Sequence, residues 1–164
     1  MLGDSLTQEA KWEDLFNSKE IANHGIGGDT TAGVLNRIDL VYKTNPTKVF
    51  IMIGINDLLK GINIDDIKIN YQKIVNILVK NNIKVYIQSI LYVGYKRKHL
   101  NNKIITVNNM LDNFARTNEL VTYVDLNQVL STGSYLSEEY TNDGIHLKCE
   151  GYKVWSDMIS RYIM

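Results

Sequence analysis

Cysteine and proline are nearly absent from this 164-residue chain, which has one of each. The lone thiol, Cys149, excludes an intrachain disulfide and any zinc site built on several thiolates, so no covalent or metal staple is implied. The single proline, Pro46, sits just before the most apolar segment, where it ends a helical stretch and obstructs nothing. No Pro-rich or Ser-rich linker divides the chain, and residues 1–164 read as one domain. Charge of one sign is lacking too. Eighteen Lys plus Arg balance 18 Asp plus Glu, so there is no global field to gather nucleic acid or anionic lipid. Long apolar runs are missing as well: the longest, Val49 to Ile55, falls well short of the roughly 18 residues that cross a bilayer. The first residues lack the basic and apolar regions of a signal peptide, which makes a cytoplasmic protein without a membrane span the expectation. What is present is the ordinary globular mixture, 45% apolar and 22% charged.

Val49-Phe50-Ile51-Met52-Ile53 is apolar at every position, as a strand covered on both faces of a parallel sheet must be. Val85 to Ile87 and Val121 to Val124 are weaker relatives. Between them lie runs with helical spacing. Ile67, Tyr71, Ile74 and Leu78 follow the capping candidates Asp65 and Asp66; Val107, Met110, Leu111 and Phe114 form a second stripe; Tyr152, Trp155, Ile159 and Tyr162 mark a final helix. Strands alternating with helices predict right-handed crossovers and a three-layer α/β/α domain. Asn and Ile are frequent in the manner of an AT-rich genome.

In an open parallel sheet, ligands bind beyond the carboxyl ends of the strands. Three such places stand out: Gly3-Asp4-Ser5-Leu6, the stretch Asn23 to Thr31, and Gly54-Ile55-Asn56-Asp57. A fourth, Asp143-Gly144-Ile145-His146, precedes the last helix and can fold onto the same rim. Acyl transfer needs a nucleophile, a base, a group that orients the base, and donors for the oxyanion. Ser5 supplies the hydroxyl, and His146 the imidazole, which titrates near neutrality. Asp143, three residues earlier, orients it. Ser5 N–H, Gly28 N–H and the Asn56 amide are the oxyanion donors. Gly25 to Gly28 lack the final glycine of a dinucleotide fingerprint, so no cofactor is expected. Asp4, Asp29 and Asp57 read as turn braces rather than metal ligands. His24 reads as a packing or hydrogen-bonding residue near the glycine turn, and the basic run Lys96-Arg97-Lys98-His99 as a solvated surface, with contact to an anionic substrate as its alternative. Cys149 and Trp12 read first as packing, with Trp12 also a candidate wall of the pocket.

Together the four blocks resemble the SGNH (GDSL) hydrolase superfamily, whose blocks are named for Ser, Gly, Asn and His. The Gly-Ile-Gly-Gly-Asp-Thr-Thr stretch is similar to the branch of platelet-activating-factor acetylhydrolase subunits and small bacterial acylhydrolases. The resemblance implies a flavodoxin-like fold, a five-stranded parallel sheet of order 2-1-3-4-5, and metal-independent ester hydrolysis. In that fold about five apolar residues precede the Gly-Asp-Ser block, and here only Met1 and Leu2 do, so the first strand is expected as a stub around Leu2 and Gly3. The resemblance also admits a homodimer, as the acetylhydrolase subunits pair.

The function expected is a serine esterase that removes short acyl groups, acetyl foremost, from a carbohydrate or another small polar alcohol, because a chain this short has little material for a lid or a deep acyl channel. Residues Tyr92 to Asn102 are expected to shape the pocket. A thioesterase or lysophospholipase using the same site, and a non-catalytic flavodoxin-like binding module, are the competing readings.

Overall fold

The computed structural model describes residues 1–163. In chain order the strands are β1 (Leu2–Gly3), β2 (His24–Gly25), β3 (Lys48–Met52), β4 (Lys84–Gln88) and β5 (Val121–Val124), with a short hairpin of β6 (Ser131–Thr132) and β7 (Tyr135–Leu136). The helices are α1 (Ser5–Gln8), α2 (Trp12–Phe16), α3 (Thr31–Asn36), α4 (Ile38–Tyr42), α5 (Ile55–Leu59), α6 (Ile64–Lys80), α7 (Asn101–Ala115), α8 (Asn127–Leu130) and α9 (Cys149–Ile163), and a 3₁₀ turn covers Tyr95–Leu100. The five main strands are parallel in the order β2-β1-β3-β4-β5.

Alternation along β3 explains its continuous apolar sequence. Val49, Ile51 and Ile53 pack into the cluster under α3, α4, α6 and α7, whereas Phe50 and Met52 pack into the cluster under α1, α2 and α9. β4 divides likewise, Val85 and Ile87 against Tyr86. The second face is rich in rings: Trp12 meets Trp155 edge-on at 5.0 Å and Tyr152 at 6.5 Å. Trp12 is 2% exposed and donates Nε1–H to Thr7 O at 2.9 Å, so it belongs to the core.

β1 is the stub expected. Leu2 and Gly3 pair with His24 and Gly25 on one side and with Ile51 and Met52 on the other. Lys48, Val49 and Phe50 reach past it and pair only with β4. The cap of the long helix α6 lies two to three residues before the aspartates that the sequence offered. Asn63 is its cap, accepting from Asp65 N–H, and Asp65 and Asp66 occupy the first turn, where their charge favours the helix dipole. Cys149 opens α9 but is exposed, a departure from the packed position expected. Among the described residues no helix is long and apolar enough to cross a membrane.

Candidate active site

Ser5 is the first residue of α1, directly after the turn that leaves β1. Asp4 caps that helix: its Oδ1 accepts from Leu6 N–H at 3.0 Å. As the first helical residue, Ser5 has an N–H with no acceptor inside the helix. Its Oγ lies 3.1 Å from His146 Nε2, across 141 residues of sequence. On the far side of the ring, Nδ1 lies 2.7 Å from Asp143 Oδ2.

The loop carrying this pair is held by its own bonds. Asp143 Oδ1 accepts from the N–H groups of Ile145 and His146, both at 2.8 Å, and Thr141 donates its hydroxyl to His146 O at 2.6 Å. What burial the Asp143 carboxyl has pushes its pKa up. The bonds from the His146 ring and the two N–H groups outweigh that and hold it well below the usual carboxylate range.

The glycine block and the Asn block meet beside Ser5. Ile26 N–H donates to Gly3 O at 3.1 Å, which ties the glycine loop to the end of β1. Gly28 has φ +74°, and a Cβ there would meet nothing within 4 Å, so its glycine answers to backbone conformation and not to crowding. Its N–H has no partner among the described residues. Asn56 donates one amide hydrogen to Asp29 O at 2.9 Å, which fixes the side chain and leaves the second hydrogen free. Among the described residues, three donors on the rim therefore lack acceptors: Ser5 N–H, Gly28 N–H and the second Asn56 Nδ2–H.

The three aspartates of these blocks brace turns, as the sequence suggested. Asp29 pairs with Arg37 at 2.8 Å, and Arg37 also donates to Gly3 O and His24 O, joining the ends of β1 and β2 to the glycine loop. Asp57 accepts from Thr31 N–H at 3.0 Å and from Thr31 Oγ1 at 2.6 Å, which locks α5 to the start of α3. Burial pushes the Asp57 carboxyl up. Asp4 is 1% exposed, and burial pushes its carboxyl to about 7 despite the Leu6 bond. Its Oδ2, like Thr7 Oγ1, has no partner among the described residues.

Sequence reasoning missed the residues that shape the segment after β4. Asn108 bonds both backbone groups of Ile90, at 2.9 and 2.8 Å; Asn101 does the same for Val93, at 2.9 and 3.0 Å; Asn127 bonds Tyr92 N–H and Ile90 O. All three asparagines are buried. The available signal was the placement of Asn101 and Asn108 seven residues apart, two turns along one face of α7, where Asn has poor helix propensity and needs another reason. The segment they hold lines a small enclosed cavity of about 10 Å³ with Asp4, Leu6 and Ile145.

A segment similar to this chain occurs in the N-acylneuraminate cytidylyltransferase of Streptococcus agalactiae serotype V, 31% identical over 150 residues. That match takes in 92% of this chain but 35% of the relative, so the chain spans about a third of its length. The fold is similar to that of a GDSL-like lipase from Bacteroides thetaiotaomicron, with a TM-score of 0.89 at 26% identity over 99% of this chain and 85% of the other. It is also similar to a member of the lipolytic G-D-S-L family from Veillonella parvula, with a TM-score of 0.82 at 20% identity over 98% and 94% of the two chains. Residues 1–154 match the GDSL-like lipase/acylhydrolase family, and with the four SGNH blocks in order on one rim, the chain belongs to that family of ester hydrolases.

Proposed function

We propose that the protein is a serine esterase that removes short acyl groups, acetyl foremost, from a carbohydrate or another polar alcohol. The observation that carries this reading is the continuous relay Ser5–His146–Asp143, at 3.1 and 2.7 Å, beside three donors without acceptors. Ser5 Oγ attacks the acyl carbonyl while His146 Nε2 takes its proton. Asp143 holds the other ring nitrogen as the N–H tautomer and stabilises the imidazolium that forms. Ser5 N–H, Gly28 N–H and Asn56 Nδ2–H receive the charge that develops on the carbonyl oxygen. Collapse of the tetrahedral intermediate expels the alcohol, which receives its proton from His146. Water, deprotonated by the same ring, then releases the acid and restores Ser5.

Small acyl size is supported by the short connections around the rim, which leave little material for a lid or a deep acyl channel. A carbohydrate alcohol is supported by the name of the S. agalactiae relative, which concerns a sugar acid. The test is fluorophosphonate labelling followed by a chain-length series of p-nitrophenyl esters. Labelling of Ser5 and an optimum at two carbons are expected. An unlabelled folded protein, or an optimum at eight carbons or more, overturns the reading.

A further inference from the structure

The 3₁₀ turn plays no part in this hydrolytic machinery, yet it is the basic surface next to it. Lys96, Arg97 and Lys98 are consecutive, in a chain whose formal net charge is zero. The turn is fastened to the loop that carries His146. Gly94 N–H donates to Gly144 O at 2.8 Å, and the two glycines sit so close that a Cβ on Gly94 would lie 2.8 Å from Gly144 Cα. Arg97 Nη1 donates to Asp143 O at 3.0 Å. That single bond aims the guanidinium, and its remaining donors have no partner among the described residues. Lys96 is exposed and equally without one. No ion pair joins Lys96, Arg97 or Lys98 to a carboxylate among the described residues. The facing acids are Asp143, engaged by His146, and Glu138 and Glu139, exposed beyond β7. Beside these cations Tyr95 is 63% exposed, with its ring 5.6 Å from that of Tyr135 on β7 and Lys98 Nζ 4.2 Å over its face.

The chemistry decides which half of an ester comes here. The leaving alcohol must be protonated by His146, so it lies on the side of the Asp143–His146 loop to which the turn is tied. We propose that the turn recognises an acidic group, carboxylate or phosphate, on the alcohol half of the substrate. Arg97 and Lys96 receive the anion beside the exposed Tyr95. This rests on the esterase reading above and narrows its substrate class to acylated sugar acids or sugar phosphates.

The experiment compares kcat/KM for mono-acetylated glucose, glucuronate and glucose phosphate, with p-nitrophenyl acetate alongside. Wild-type protein is expected to favour at least one acidic ester over acetyl glucose by about tenfold, the effect of one charge-assisted bond at a partly exposed site. Which of the two acidic esters is preferred tells carboxylate from phosphate. Raising the salt from about 0.05 to about 0.5 M should shrink the preference. In the double variant Lys96→Gln/Arg97→Gln the ratio of acidic to neutral ester should fall to about one. Because the ratio is taken within each protein, partial loss of folded enzyme cancels. A wild-type ratio near one, or a ratio unchanged in the variant, overturns the acidic subsite while activity on p-nitrophenyl acetate leaves the esterase reading standing. No hydrolysis of p-nitrophenyl acetate overturns both.

Discussion

Asp4 stands next to Ser5, is 1% exposed, and has a carboxyl pushed to about 7 from an ordinary 3.8. Burial is the largest cause, the charges of Asp29 and Asp57 add to it, and the Leu6 N–H bond and His146 oppose it. Because the native pKa lies above the unfolded one, the folded protein holds this proton more tightly. The stabilisation is fully present below the unfolded value near 3.8 and is lost as pH rises through about 7. About three pH units correspond to roughly 4 kcal/mol, a large part of the 5–15 kcal/mol typical of a domain. Asp4→Asn keeps the Oδ1 acceptor for Leu6 and removes the titration. Its amide enters the dry position of Oδ2 at a cost that does not vary with pH, so the slope of stability against pH is the quantity to read. Urea unfolding of both proteins at intervals from pH 4.5 to 8 should show the variant gaining on wild type by about 3 kcal/mol, with equal m-values. Asp143 and Asp57 titrate in both proteins and largely cancel in the difference. Parallel curves would mean that the Asp4 carboxyl is ionised in the native state throughout, and the argument from burial would be refuted.

Asp143→Asn should lower kcat on p-nitrophenyl acetate by about 10⁴, the scale of the same change in serine proteases, with little change in KM; a loss under tenfold would remove Asp143 from its assigned role. Asn56→Ala should cost about 10² to 10³ in kcat, and an effect confined to KM would argue for simple substrate binding instead. The depressed Asp143 carboxyl contributes stability that is present above its ordinary pKa and is lost as pH falls through its native value, so Asp143→Asn should flatten the acid limb of the unfolding curve below about pH 4. Tyr71→Phe should destabilise the protein by about 1 to 3 kcal/mol in urea melts, because the Tyr71 hydroxyl donates to Ile53 O at 2.8 Å and accepts from Ile53 N–H at 3.2 Å inside the core.

The parts of the fold visible in the sequence are those where one local pattern serves both backbone and packing. The β3 run and the stripes of α6, α7 and α9 are of this kind, since burial on a face repeats with the period of the element. The four rim blocks were visible because glycines, aspartates and a spaced Asp-His pair have few other uses in that order. Elements of two residues, such as β6 and β7, leave no period to read. The start of α6 is ambiguous in the sequence because three polar residues, Asn63, Asp65 and Asp66 around Ile64, all fit a helix terminus, and only the extended backbone of Asn63 distinguishes the cap. The buried asparagines of the post-β4 segment are hard to single out because most of their partners are backbone groups, which leaves only the spacing of Asn101 and Asn108 on α7 as a signal.

The same distinction explains how a two-residue strand can position Ser5. β1 offers too little ladder to hold Ser5 by itself, and the hydrogen bonds that place it come from residues distant in sequence. Arg37 gathers the carbonyls of Gly3 and His24, Ile26 N–H reaches Gly3 O, and Tyr152 donates its hydroxyl to Leu6 O at 3.0 Å from the opposite face. Gly3 is pressed so closely between Met52 O and the Thr7 side chain that no Cβ fits there. The turn is thus clamped from the neighbouring strand, from the helix it begins, and from α9. These clamps join residues up to 146 positions apart, so the turn acquires its final geometry only as the sheet and its last helix come together. On this architecture the relay is assembled by the completed domain, and no isolated segment carries it.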